Sequence, residues 1–176
     1  MAGNHELSRD FQLRGDPEVT STQADYEART GAALRGRELQ TRLNGMITSL
    51  VDLRIQIEGV QETVAGKGLD NEAEVLRMAG EALQELQALE DELRRPPPRM
   101  GYRQYPRLSE QLSFATRGIT QAQARPTDGQ LQVMSEVEEA MNGRAEELRG
   151  IVAGPVAALN RLLGGESRIL VGGGGR

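Results

Sequence analysis

A heptad repeat in the first third of the chain constrains the fold more than any other feature. Apolar residues recur there at alternating spacings of four and three residues, which keeps one apolar seam on one face of an α-helix. The seam consists of Leu39, Leu43, Met46, Leu50, Leu53, Ile57, Val60 and Val64. A second stripe of Ile47, Val51 and Ile55 widens this coiled-coil-like face, which predicts two neighbouring helices rather than one.

Local signals place the ends of this first helix. Thr20 is followed three residues later by Gln23, the spacing of a capping box. Gly66 and Gly68 suit the left-handed conformation that often ends a helix. These signals predict a helix over residues 21–65.

Three further helices are predicted downstream, over residues 71–94, 108–123 and 128–163. Three consecutive prolines from Pro96 end the first of them, since proline lacks an amide proton and clashes with the preceding turn. Its predicted apolar face is Leu76, Ala79, Leu83, Leu86, Leu89 and Leu93. Two ion pairs four residues apart, Glu90–Arg94 and Asp91–Arg95, are expected near its C-terminus. Pro155, next to Gly154, predicts a kink or break in the last helix.

The resulting prediction is an all-α protein, an elongated antiparallel bundle of three to four helices over residues 20–163. Residues 1–19 form a separate N-terminal extension with a strand-like pattern around Phe11 and Leu13. Residues 164–176 contain a second strand-like stretch, Ile169, Leu170 and Val171, followed by a glycine tail. Because an isolated strand is unstable, we expect these ends to pair with each other or with a partner.

Composition and charge limit the classes of partner that such a bundle could bind. The formal net charge is -5, with acidic and basic residues mixed, and aromatic residues make up 3% of the chain. This is typical of a solvated surface and argues against nucleic acid, which favours basic stripes or aromatic platforms. No apolar run reaches the length of a transmembrane helix. The absence of cysteine leaves the redox compartment open.

The sequence predicts no catalytic, cofactor-binding or metal-binding residues. His5 is the only histidine, so a Glu-x-x-His di-metal site and a Ser-His-Asp triad cannot be assembled in their usual forms. Two acidic clusters, Glu90 to Glu92 and Glu136 with Glu138 and Glu139, resemble the carboxylate pairs of glycosidases. Their position opposite the apolar stripe favours a solvated charged face instead.

Candidate partner contacts come from two features. The strand-like ends contribute Phe11, Leu13, Ile169, Leu170 and Val171. The stretch YRQYPR contributes Tyr102, Arg103 and Tyr105, because tyrosine and arginine are enriched at interface hot spots. The alternative is that these tyrosines merely cover one end of the bundle.

Three stretches resemble a known family. DPEVTSTQADYEART, YPRLSEQLSFATRGITQAQARPTDGQLQVMSEVEE and PVAALNRLL are similar to the C-terminal helical region of bacterial sortilin-like, BNR-repeat proteins, many labelled glycosyl hydrolases. The likeness covers roughly residues 9–163. The family's β-propeller and its Asp-box repeats are absent here, so no catalytic residue carries over. The resemblance implies a periplasmic or cell-surface location, although the composition fits cytoplasm equally well.

Two hypotheses follow, and a third is weaker. The chain is a non-catalytic structural or protein-interaction module, such as an accessory subunit of a larger extracytoplasmic assembly. Alternatively, it is the C-terminal fragment of a sortilin-like hydrolase-type protein whose activity lies in absent domains. A ligand-binding bundle would require an internal cavity. The partner and the oligomeric state are left open.

Overall fold

A computed structural model describes residues 8–12, 14, 16–96, 104–164 and 169–170. It contains α1 (Gln23–Val64), α2 (Glu72–Leu93), α3 (Leu108–Gln121), α4 (Asp128–Ile151) and α5 (Ala157–Leu162), with a π-helical turn at Val152–Val156. None of the described residues belongs to a β-strand. The predicted all-α bundle is therefore confirmed.

The capping box of α1 lies two residues beyond the predicted one. The Thr22 hydroxyl accepts from the Asp25 amide at 3.2 Å, and the Asp25 carboxylate accepts from the Thr22 amide at 2.9 Å. Thr20 and Gln23 were therefore the wrong pair. A carboxylate in the first turn also interacts favourably with the helix dipole, which a glutamine does not.

The turn from α1 to α2 is held by a single carboxylate. Gly66 and Gly68 both have positive φ, as the termination signal predicts. Their amides donate to the two oxygens of Glu72, at 2.7 and 2.8 Å. These backbone hydrogen bonds lower the pKa of Glu72.

The buried face of α2 differs from the predicted one. Leu76 and Leu83 are only half-buried, whereas Val75 and Ala82 are buried. The observed set follows spacings of four and three throughout, so it forms a straighter seam, and its small residues allow closer packing. It comprises Val75, Ala79, Ala82, Leu86, Leu89 and Leu93.

The last helical stretch accommodates proline without ending. Thr127 and Gln130 form the predicted capping box of α4. Pro155 lies inside the π-helical turn, and α5 follows directly. Because proline cannot donate the usual backbone hydrogen bond, a wider turn is one way for the helix to absorb it. The predicted interruption near Gly154 takes this form.

The helices form a three-column bundle. Ser21 lies against Gln123 and Gly36 against Thr116, so α3 runs antiparallel to α1. Arg54 lies against Glu90 and Gln61 against Gly80, so α2 is also antiparallel to α1, and the two helices cover successive halves of it. The third column, α4 with α5, packs on both α3 and α2. Its contacts with α1 advance in the same direction on both helices, from Arg35–Glu138 to Arg42–Asn142, so α1 and α4 are parallel.

The heptad seam of α1 forms the centre of the core. Leu43, Leu50 and Ile57 are completely buried, and Met46 is half-buried. The second stripe is not fully covered by another helix: Ile47 and Val51 are half-buried, and Ile55 is 61% exposed. Since α2 and α3 occupy one column end to end, α1 meets fewer neighbours at any level than the width of its apolar face suggested.

A close approach between α1 and α3 depends on one glycine. A Cβ atom at Gly36 would lie 2.7 Å from Thr116 Oγ1 and 3.0 Å from Thr116 Cγ2. The Thr116 hydroxyl is buried and has no hydrogen-bond partner among the described residues. Gly36 therefore determines how near α3 can pack.

Candidate interaction surfaces

The most buried charge in the described part of the chain is Glu90, which is 5% exposed on α2. Arg54 of α1 donates to its Oε2 at 2.7 Å, and Arg94, four residues further along, donates to its Oε1. The predicted pair Glu90–Arg94 is thus confirmed. The other predicted pair is wrong: Arg95 lies 3.5 Å from Glu110 rather than beside Asp91.

The environment of Glu90 holds it ionised. Burial is the largest single effect on the pKa of Glu90 and would raise it. The hydrogen bonds and charges of Arg94 and Arg54 together outweigh burial, so the pKa lies below its usual value. The surrounding cleft of about 710 Å³ also contains Arg95 and Glu110. With both oxygens already accepting from arginine, Glu90 ties α1 to α2 and is poorly suited to donate a proton at neutral pH.

In the acidic cluster on α4, Glu138 likewise forms ion pairs that connect two helices. Glu138 accepts from Arg35 at 2.7 Å and from Arg42 at 3.3 Å, which joins α4 to α1. The hydrogen bond from Arg35 is the largest effect on the pKa of Glu138 and lowers it, despite some opposing desolvation. Glu139 is exposed.

A shallow cleft of about 510 Å³ lies beside α3 and is lined by one exposed aromatic ring. Phe114, which lines the cleft, is 84% exposed, and Tyr105, next to the lining residue Pro106, is 87% exposed. Val133 of α4 contributes a further apolar side chain, and Arg117 lies on the same wall. We call this cleft, with Tyr105 and Phe114, the aromatic surface.

The structure places few of the predicted contacts together. Tyr105 belongs to the aromatic surface, whereas Phe11 is 82% exposed in the N-terminal extension. Leu13, Tyr102, Arg103 and Val171 lie outside the described residues, as does His5. The sequence analysis did not identify Phe114 because this residue lies between the apolar heptad positions of α3. Its aromatic side chain at a position expected to face solvent was the only available signal.

The described residues of the C-terminal stretch, 169 and 170, form neither a strand nor a pair with residues 10–12. Ile169 is 3% exposed and joins the hydrophobic core, while Leu170 is 70% exposed. The Asn160 carboxamide accepts from the Ile169 amide at 2.8 Å and donates to the Ile169 carbonyl at 3.1 Å. The Gln56 carboxamide does the same for Leu170, at 2.6 and 3.0 Å. Side chains, rather than a neighbouring strand, satisfy this backbone. Pairing of the two ends with each other is therefore not found among the described residues, and pairing with a partner stays a prediction.

The described residues offer neither a metal-binding cluster nor a membrane-spanning helix. They contain no group of three or more histidine, cysteine, aspartate or glutamate side chains arranged to hold a metal ion. None of their helices combines the length and the apolarity needed to cross a membrane.

Comparison with known proteins places the chain in no group. No family model, no curated protein and no solved structure matches it. The likeness to sortilin-like, BNR-repeat proteins, and the hydrolase-type alternative that it implies, therefore stay predictions.

Proposed function

We propose that the chain is a non-catalytic protein-interaction module, such as an accessory subunit of a larger extracytoplasmic assembly. The observation that supports it is the aromatic surface. Phe114 is 84% exposed in a cleft that also contains apolar and arginine side chains, and Tyr105, which precedes the lining residue Pro106, is 87% exposed. Large aromatic residues left in water are typical of contact sites, where burial of such a side chain contributes about 1.5–3 kcal/mol.

The long helices support the same function. Ion pairs between helices, Arg54 with Glu90 and Arg35 with Glu138, fix the columns relative to one another. A rigid scaffold limits the side-chain and loop ordering that binding would otherwise cost. The extracytoplasmic setting comes from the family resemblance alone, and cell fractionation of the native protein tests it.

Site-specific photo-crosslinking tests the interaction. A photoreactive residue is placed at position 114, and the matched control carries it at Glu139, an exposed site on α4. We expect one defined protein to be captured at 114 and not at 139. With that protein purified, Phe114→Ala should weaken binding by about tenfold or more, which corresponds to about 1.4 kcal/mol. Equal capture at both positions, or binding unchanged by Phe114→Ala, would contradict the proposal.

A further inference from the structure

A polar cleft of about 460 Å³ lies between α1 and α3. Arg37 lies in the wall that α1 provides, and Arg117 lies in the wall that α3 provides. The other lining residues carry hydroxyl or carboxamide groups, except Gly36, and none of the lining residues is acidic or aromatic. The cleft is therefore positively charged in a chain whose net charge is -5. We call it the arginine cleft.

The two arginines of the cleft have no acidic partner among the described residues. Arg35, Arg42 and Arg54 of α1 each pair with a carboxylate, whereas Arg37 does not. Neither Arg37 nor Arg117 has an acidic residue three or four positions away on its own helix, where ion pairs within a helix form. Both residues are exposed, so their charges are accessible to a ligand.

Hydrogen bonds across the arginine cleft hold its walls together and leave one hydroxyl unpaired. Ser113 of α3 donates to the Gln40 carboxamide at 3.4 Å, and Gln40 in turn donates to Asn44 at 3.0 Å. The Thr116 hydroxyl, by contrast, is buried and has no hydrogen-bond partner in the described part of the chain. Because buried polar groups are almost always paired, an unpaired hydroxyl in the lining of a basic cleft indicates an acceptor that comes with a bound molecule.

The charge and the donors of the arginine cleft fit a phosphate group better than a carboxylate. A phosphate monoester carries a charge of about −1.5 to −2 at neutral pH and three strong acceptor oxygens, which matches two guanidinium groups. A carboxylate has one charge and two oxygens, and would leave one arginine unmatched. The volume lies within the range of small-molecule sites, about 300–1,000 Å³, and the lining offers no aromatic ring on which a nucleobase could stack.

We propose that the arginine cleft binds the phosphate group of a small phosphate ester with a polar organic part. Arg37 and Arg117 bind the phosphate oxygens from the two helices. The Thr116 hydroxyl turns from Gly36 toward the ligand by rotation about its Cα–Cβ bond and donates to it. Arg117 also lines the aromatic surface, but Arg37 does not, so this site is independent of the protein contact proposed above.

Equilibrium dialysis of the full chain against labelled glucose 6-phosphate, at constant ionic strength, tests this proposal. Arg37→Gln and Arg117→Gln should each weaken binding by about tenfold or more, since each removes charged hydrogen bonds to the phosphate. Arg77→Gln removes the same charge from an exposed site on α2 and should leave binding unchanged. Phe114→Ala should also leave it unchanged, which separates this site from the aromatic surface. Circular dichroism checks that each variant keeps its helicity.

Unlabelled competitors identify the group that is recognised. Inorganic phosphate should displace the labelled ester, whereas glucose and acetate at the same concentration should not. Absence of saturable binding to the unsubstituted chain would overturn the proposal. Equal weakening by Arg37→Gln and Arg77→Gln would also overturn it, because the ester would then respond to the overall charge of the chain. If a phosphoserine peptide bound more tightly than glucose 6-phosphate, the ligand would be a modified protein and the proposal would be wrong.

Discussion

Replacing Leu50 by alanine tests the seam that organises the bundle. Leu50 lies mid-way along α1 and is 0% exposed. The substitution removes three carbon atoms, worth about 2.4 kcal/mol of transfer free energy at about 0.8 kcal/mol each. The cavity left behind adds a further cost, which places the expected loss in the range of about 2–5 kcal/mol.

Ile55 provides the matched control on the same helix. It is an aliphatic residue of similar size but is 61% exposed, so Ile55→Ala should cost less than about 0.5 kcal/mol. Denaturant unfolding followed by circular dichroism measures both. For a chain of this length, a loss of about 3 kcal/mol corresponds to a decrease in Tm of about 6–12 °C.

The two variants together can refute the packing argument. If Leu50→Ala lowered the free energy of unfolding by less than about 0.5 kcal/mol, the seam would face solvent and the described packing of the bundle would be wrong. Equal losses for both variants would mean that burial along α1 does not follow the heptad.

Three further predictions address the ion pair, the close helix contact and catalysis. Glu90→Gln should cost about 1–3 kcal/mol at neutral pH. Since the pKa of Glu90 is lower in the folded than in the unfolded chain, its contribution is present above the usual carboxyl pKa and is lost as pH falls through the folded pKa, so acid unfolding curves of the two proteins should converge. Gly36→Ala should cost about 1–3 kcal/mol because its Cβ meets a stiff threonine, and Thr116→Ala should restore much of that loss; equal destabilisation in both backgrounds would contradict the close contact. The chain should show no glycosidase turnover, and turnover that vanishes on substituting Glu138 or Glu139 would contradict this.

Local signals predicted the helices well, because each depends on nearby residues. The predicted bounds of α1, residues 21–65, lie within two residues of its start and one of its end, although the capping pair chosen for its start was wrong. Prolines 96–98 predicted the end of α2, and Thr127 with Gln130 predicted the start of α4. Such features are local hydrogen bonds and steric clashes, which neighbours in sequence decide alone.

The candidate sites were predicted less well, because each combines residues distant in sequence. Tyr105 was identified from its type, but its companion Phe114 was not. Glu90 was expected on a solvated face and is instead buried between two arginines, one of them 36 residues away. Its burial depends on where α1 passes, which no local pattern encodes.

The sequence by itself determined that this chain forms helices, where most of them begin and end, and which seam of α1 is buried. Only the tertiary structure decided that α2 and α3 share one column, that Ile55 faces water, and that Ile169 enters the core. The physical reason is that helix periodicity specifies which face is apolar but not how many neighbours cover it. Likewise, the backbone of residues 169–170 needed partners, and only the packed helices bring Gln56 and Asn160 within hydrogen-bonding distance of it.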